Sequence, residues 1–213
     1  MDISKLSSML IAVVVILVNL VILRRFTIFS VISNSNLFLG FGILGACLTV
    51  FTQISYYDTR FLLLLPFIFV TLVIVIIDLT SHLILNSITM GLAITQFLSF
   101  CIAFLLKIEI NLAQILLSGL ALFVFYFLMN LVSRNQIGMG DVKFAFTVGL
   151  TIGYIGLDWL FVSIFITFLI SGIFALLLLL SKRVTRKNEI AFAPFMIIGT
   201  WTTIAIANVL KSQ

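Results

Sequence analysis

Long apolar runs alternate with short polar stretches along nearly the whole chain. Since about 20 apolar residues cross a bilayer as a helix, we interpret eight of these runs as candidate spans. They extend over Ser7 to Leu23, Leu37 to Ser55, Phe61 to Ile77, Leu85 to Leu106, Leu112 to Val132, Val142 to Ile155, Trp159 to Ser181 and Ile190 to Leu210. Because unpaired backbone polar groups are costly in hydrocarbon, the pattern predicts an all-α fold, a polytopic membrane bundle of about eight transmembrane helices.

The composition excludes a sizeable soluble domain. Hydrophobic residues make up 63% of the 213 positions and charged residues 9%, whereas soluble domains have roughly 45–50% apolar and about 25% charged residues. The first apolar run follows an acid and one lysine and lacks a small-residue cleavage site, so we expect it to be a retained span.

The basic residues predict the orientation of this bundle. The loops on one side carry eight Lys and Arg residues, and those on the other side carry four. The larger group is Arg24, Arg25, Arg134, Lys143, Lys182, Arg183, Arg186 and Lys187. An excess of Lys and Arg marks the cytoplasmic side. The net charge of +5 therefore reflects orientation and contact with anionic lipid, and we expect no nucleic acid partner.

Two aspartates stand at the ends of apolar runs on the predicted cytoplasmic side. Asp78 follows the third run in TLVIVIIDLTSHLILNSIT, and Asp141 precedes the sixth in RNQIGMGDVKFAF. Two spans separate them, so the chain returns to the same depth and the carboxylates can meet near one interface. An ionisable residue at a span end indicates a functional site. The alternative, for each residue alone, is an acid that faces headgroup water.

Glycines surround the second aspartate. Gly138 and Gly140 flank Met139 immediately before Asp141. Glycine permits backbone conformations and close approaches that other residues forbid, which favours a specialised turn. An ordinary turn at the start of a helix is the alternative.

Together the two segments resemble the active-site motifs of the type IV prepilin peptidases, which are polytopic membrane aspartic proteases of the GxGD class. Their first motif is an Asp, a short polar stretch and Ile-Pro-Asn, and their second is Gly-x-Gly-Asp, a hydrophobe and Lys. The matching residues are Asp78, Ile84 and Asn86, with Leu85 in place of Pro, and Gly138, Gly140, Asp141, Val142 and Lys143. The segment AFAPFMIIG around Pro194 is similar to the Pro-Phe-Gly-Pro-Phe stretch of the family's last span.

This resemblance implies a membrane aspartic endopeptidase that cuts basic leaders from prepilin or pseudopilin substrates at the cytoplasmic face of the cell membrane. Asp78 and Asp141 would be the catalytic pair, and no cofactor is implied. The supporting residues would be Gly138, Gly140, Lys143, Asn86 and Pro194. Accordingly, residues 1–60 are expected to form an N-terminal region of two spans with a short cytoplasmic loop, and residues 61–213 the catalytic transmembrane domain.

Several of these residues have a second interpretation. Lys143 would point away from Asp141 on a helix, and it would contact lipid phosphate or an acidic part of a substrate. Asn86 would either cap the fourth span or hydrogen-bond the aspartates. Pro194 would keep a non-helical backbone near the site or kink the last span. His82, the only histidine, would be a solvated loop residue or a proton relay near Asp78.

No metal site or disulfide is predicted. Larger prepilin peptidases carry two CxxC pairs in the loop after the first span, linked to metal binding and N-methylation. Here that loop, Arg24 to Asn36, has 13 residues and no cysteine. Cys47 and Cys101 lie in different apolar runs, so thiolate zinc ligation is not expected. N-methyltransferase activity is therefore not expected either.

Two other functions remain open. A small proton- or cation-coupled transporter could use Asp78 and Asp141 as a relay, although transporters usually show internal repeats and neither motif recurs here. A protease of the signal-peptide-peptidase and presenilin kind is the third interpretation. Those proteins carry Tyr-Asp and Pro-Ala-Leu motifs, whereas Ile77 precedes Asp78 and the proline lies in Ala-Pro-Phe.

Overall fold

A computed structural model describes residues 63–64, 66–68, 71, 74–75, 78, 86–133, 137–180 and 192–211. Some predictions therefore fall outside the described residues. They concern the first two spans, the boundary at residue 60, the loop Arg24 to Asn36, His82 and the basic residues from Lys182 to Lys187.

Regular structure in the described residues is entirely helical. The helices are α1 (Asn86–Leu105), α2 (Leu112–Val132), α3 (Met139–Ile155), α4 (Trp159–Leu180) and α5 (Ala193–Lys211). Residues 66–68, 71, 74, 75 and 78 also have helical backbone, which agrees with the third predicted span. The all-α prediction is thus confirmed for this part of the chain.

Four of these helices are long and apolar enough to cross a membrane. The qualifying segments are Ile88–Leu105, Leu112–Val132, Trp159–Leu180 and Ala193–Leu210. Their outer surfaces carry large apolar side chains; Phe161, for example, is 80% exposed, as expected for residues in contact with lipid. The chain is therefore a membrane protein. The total of about eight spans stays a prediction, since it includes segments that the structure does not describe.

Helix α2 has the predicted bounds, whereas α3 begins three residues before the predicted Val142. At the start of α2, the side chain of Asn111 accepts a hydrogen bond from the backbone N–H of Gln114 at 3.1 Å, as in a standard N-cap. At α3 the apolar run and the helical backbone do not start together, because Gly140 and Asp141 follow Met139 in the first turn and interrupt the apolar pattern. Asp141 consequently lies in the first turn of α3, and not before the helix as expected.

Helix α5 begins at Ala193 and not at the predicted Ile190. Pro194 is its second residue, a position where the missing proline N–H breaks no helical hydrogen bond. The carbonyl of Phe192 accepts the first bonds of the helix, from the N–H groups of Phe195 at 3.0 Å and Met196 at 3.3 Å. Pro194 therefore lies in the first turn of the last helix and does not kink its middle.

Helix α3 is at the centre of the described bundle and packs against α2, α1, α5 and α4. Small residues bring α2 and α3 together: a Cβ atom added at Gly149 would lie 2.5 Å from the carbonyl oxygen of Ser118, and one at Gly153 would lie 2.5 Å from the Ser118 Cβ. In membranes such contacts allow two helices to approach closely. The Gln114 amide adds a hydrogen bond to the Gly153 carbonyl at 2.8 Å.

The residues that precede Asp78 pack into the same core. The Phe67 ring stacks on Phe144 of α3, with 6.2 Å between centroids, and lies 6.0 Å from the Trp201 ring of α5. The buried Gln96 amide of α1 donates to the Leu63 carbonyl at 3.1 Å. These contacts place the segment that carries Asp78 beside α3 and α5.

Candidate active site

Asp78 is a buried carboxylate held by the first turn of α5. Its side chain is 4% exposed, and its Oδ2 accepts a hydrogen bond from the backbone N–H of Ala193 at 3.1 Å. The first N–H groups of an α-helix have no partner within the helix. Asp78 therefore uses a donor that α5 itself leaves available.

Asp141 lies within electrostatic range of Asp78. It lies in the first turn of α3, on a different helical segment from Asp78. Its Oδ1 is buried, and no donor among the described residues reaches it. The structure thus places the two aspartates near each other: one carboxylate has an oxygen held by a backbone N–H, and the other has a buried oxygen without a donor among the described residues.

Gly138 leaves room for the Asp141 carboxylate. Its φ of −61° and ψ of 135° are accessible to any residue, so the expectation of a glycine-only backbone conformation is wrong here. Gly140 lies within α3, and Gly156 is the glycine with positive φ in the described residues. A Cβ at Gly138 would lie 3.3 Å from Asp141 Oδ2. A larger residue here would therefore crowd the Asp141 carboxylate, in agreement with the expectation of a close approach.

Comparison with known protein families decides the family of the chain. The model of the type IV leader peptidase family matches residues 65–180, which is more than half of the sequence and contains both aspartates. The chain belongs to the type IV leader peptidase family. Neither the curated proteins nor the solved structures gave a match.

Family membership makes this chain a membrane peptidase and confirms the resemblance found in the two motifs. The match ends at residue 180, before α5. The likeness of the segment around Pro194 to the last span of the leader peptidases therefore stays a prediction. The structure nevertheless places the buried Pro194 next to Ala193, whose N–H contacts Asp78.

The remaining supporting residues predicted for this leader peptidase are Lys143 and Asn86. Lys143 lines a cavity of about 370 Å³ with Phe146 and residues of α1 and α2. Two residues turn an α-helix by about 200°, so this cavity lies on the face of α3 away from Asp141. Asn86 is the first residue of α1; its side chain lies outside what the structure describes, and its capping role stays a prediction.

Two residues of α2 that belong to neither sequence motif face the start of α3. Tyr126 and Asn130 are each 1% exposed and lie four residues apart, on one face of the helix. Tyr126 lies within electrostatic range of Asp141. The Asn130 amide donates to the Ile137 carbonyl at 2.9 Å and to the Met139 sulfur at 3.3 Å. Asn130 is the single carboxamide residue in the apolar run FVFYFLMNLV, and this pattern could have identified it from the sequence.

Metal-binding side chains do not cluster in this region. Among the residues that the structure describes, there is no group of three or more His, Cys, Asp or Glu side chains able to hold a metal ion. Cys101 is a free, half-buried thiol on α1.

Proposed function

We propose that this member of the type IV leader peptidase family is an aspartic endopeptidase that removes the basic leader from prepilin-like proteins at the cytoplasmic face of the cell membrane. The observation that carries the proposal is the placement of Asp78 and Asp141, two carboxyl groups on separate helical segments, within electrostatic range of each other. The family supports the peptidase activity, and the pair supports the aspartic class.

In the proposed mechanism, the two carboxyl groups share one proton and act as a unit. One carboxylate removes a proton from a water molecule, which attacks the scissile carbonyl carbon. The protonated partner donates to the carbonyl oxygen, and proton transfer to the leaving amine completes hydrolysis. The Ala193 N–H would hold Asp78 in place during these steps, and the unpaired Asp141 Oδ1 would accept from the water or the substrate.

The membrane defines the kind of substrate that reaches this pair. A prepilin-like protein has a basic leader followed by an apolar helix, so the helix stays in the bilayer while the leader remains in the cytoplasm. Asp78 and Asp141 each stand at the predicted cytoplasmic end of an apolar run, which is where such a junction would lie. By resemblance to the family, cleavage follows a Gly at the edge of the substrate helix.

Co-expression with a candidate prepilin tests this function, with leader removal read as a gel shift. Asp78→Asn and Asp141→Asn should each abolish cleavage while the protein still inserts, because each removes one of the two ionisable groups. Asp158→Asn, at an exposed position between α3 and α4, is the matched control and should cleave normally. Substantial cleavage by either inserted active-site variant would refute the pair, and no cleavage of any candidate prepilin by the wild type would refute the proposed substrate class.

Cysteine labelling tests the proposed orientation. Ser133 and the exposed Glu109 stand at opposite ends of α2, so Ser133→Cys should react with a membrane-impermeant thiol reagent from the cytoplasm and Glu109→Cys from outside. A Cys47→Ser, Cys101→Ser background removes both native cysteines. The opposite labelling would place both aspartates on the wrong side for uncleaved leaders.

A further inference from the structure

We propose that Asn130 is a positioning residue for the catalytic pair. Its side-chain amide holds the backbone at Ile137 and so sets the direction in which the Asp141 side chain projects from the first turn of α3. This inference rests on the proposed peptidase function. It concerns a residue outside both motifs, on a helix between the two aspartates in sequence.

The hydrogen bond of Asn130 acts on the chain immediately before α3. Its acceptor is the carbonyl oxygen of Ile137, 2.9 Å from Asn130 Nδ2. Ile137 directly precedes Gly138, the N-cap residue of α3. A shift of this carbonyl would rotate the first turn of the helix, which includes Asp141.

The start of α3 needs such an external contact because its own residues supply little. Gly138 has no side chain with which to cap the helix, and no side-chain cap bond is formed there. Glycine also leaves the backbone more conformational freedom than other residues do, and Gly140 is the second residue of the helix. The Asn130 amide is a rigid donor from the well-packed α2, and it also contacts Met139 through the sulfur at 3.3 Å.

Stability alone gives a poor account of an asparagine at this position. Asn130 is 1% exposed, and its Oδ1 is buried with no donor among the described residues. A buried acceptor without a donor is unfavourable, so an apolar side chain would pack there without that penalty. What an apolar side chain could not do is hold the Ile137 carbonyl.

A second carboxamide provides a matched comparison at the other end of α3. Gln114 of α2 donates from Nε2 to the Gly153 carbonyl at 2.8 Å, three residues before the C-cap Gly156. Both amides therefore fasten α3 to α2 through a backbone carbonyl. They differ in that Asn130 acts beside Asp141, whereas Gln114 acts at the opposite end of the helix.

The experiment compares Asn130→Leu with Gln114→Leu in the purified full-length enzyme, using a prepilin that the wild type cleaves. Misplacing a catalytic group by about 1 Å can reduce a rate on the order of 10²-fold, so Asn130→Leu should lower kcat by roughly ten- to a hundredfold with KM little changed. Gln114→Leu should keep kcat within about twofold of the wild type, since the position of Asp141 does not depend on it. The melting temperature of both variants shows how much each amide stabilises the fold.

The outcomes separate this inference from the proposed function. A folded Asn130→Leu enzyme with wild-type kcat, or an equal loss of kcat in both variants, would overturn the positioning role and leave the peptidase function intact. Failure of the wild type to cleave any prepilin would refute the function itself. If Asn130→Leu does not accumulate, Asn130→Ala, which also removes the side-chain donor to the Ile137 carbonyl, is judged by the same criteria.

Discussion

The backbone N–H of Ala193 donates a hydrogen bond to the carboxylate of Asp78, a residue 115 positions earlier in the chain, at 3.1 Å. Ala193 lies at the start of α5, outside the part of the chain that matches the family. The last helix is therefore part of the candidate site through its backbone, a contribution that a comparison of side chains would not detect.

Replacing Ala193 with proline should remove this donor while preserving the helix. Proline is favoured in the first turn of an α-helix, but it has no N–H, so Asp78 Oδ2 loses its partner. We expect kcat for leader cleavage to fall by about tenfold or more, as for other small displacements of a catalytic group. Ala193→Gly keeps the N–H and should stay within a few-fold of the wild type. Equal activity of a folded Ala193→Pro enzyme would show that Asp78 does not need the bond.

Gly138→Ala should impair catalysis with little effect on stability. The backbone at Gly138 suits alanine, but the new Cβ would lie 3.3 Å from Asp141 Oδ2, so the carboxylate must move. We expect a kcat roughly tenfold lower at an unchanged melting temperature, because small errors in the position of a reacting group are costly. Gly172→Ala is the control, since nothing lies within 4 Å of its added Cβ. The interpretation fails if both variants cleave at the wild-type rate.

Gly149→Ala should weaken the packing of α2 on α3. The added Cβ would lie 2.5 Å from the Ser118 carbonyl oxygen and 2.7 Å from the Gly119 Cα, and neither backbone atom can move without shifting a helix. Overpacking of this kind costs about 1–3 kcal/mol, which should lower the melting temperature in detergent. Gly172→Ala should instead be neutral or stabilise by roughly 0.5–1 kcal/mol, because alanine is preferred over glycine inside a helix. Identical melting curves for the two variants would contradict the close packing.

Chelation should leave leader cleavage unchanged, and the product should carry a free N-terminal amine. The first loop has no cysteine pair, and zinc bound by thiolates needs several ligands at suitable spacing. Mass spectrometry of the cleaved pilin, with a methyl donor present, checks the second part. Loss of cleavage that added zinc reverses would reveal a metal site, and a methylated product would show that the enzyme has the transferase activity.

The sequence by itself determined the helical class, the bounds of α2 and the two segments that carry the aspartates. These features follow from local properties. The length of an apolar run predicts a span, and a short motif is recognised from its residue types alone, whatever the rest of the fold. The same local pattern misplaced the start of α3 by three residues, because hydropathy reports where a continuous apolar run begins, and Gly140 and Asp141 interrupt that run within the first turn of the helix.

Only the tertiary structure decided what surrounds the two carboxyl groups. The donor to Asp78 is a backbone N–H of α5, which every residue except proline possesses, so no side-chain pattern identifies it. The contact of Asn130 with the Ile137 carbonyl likewise depends on how α2 packs beside the start of α3. Hydropathy and motifs specify which residues enter the membrane and which functional side chains they carry. The packing of helices distant in sequence determines which backbone groups contact those side chains.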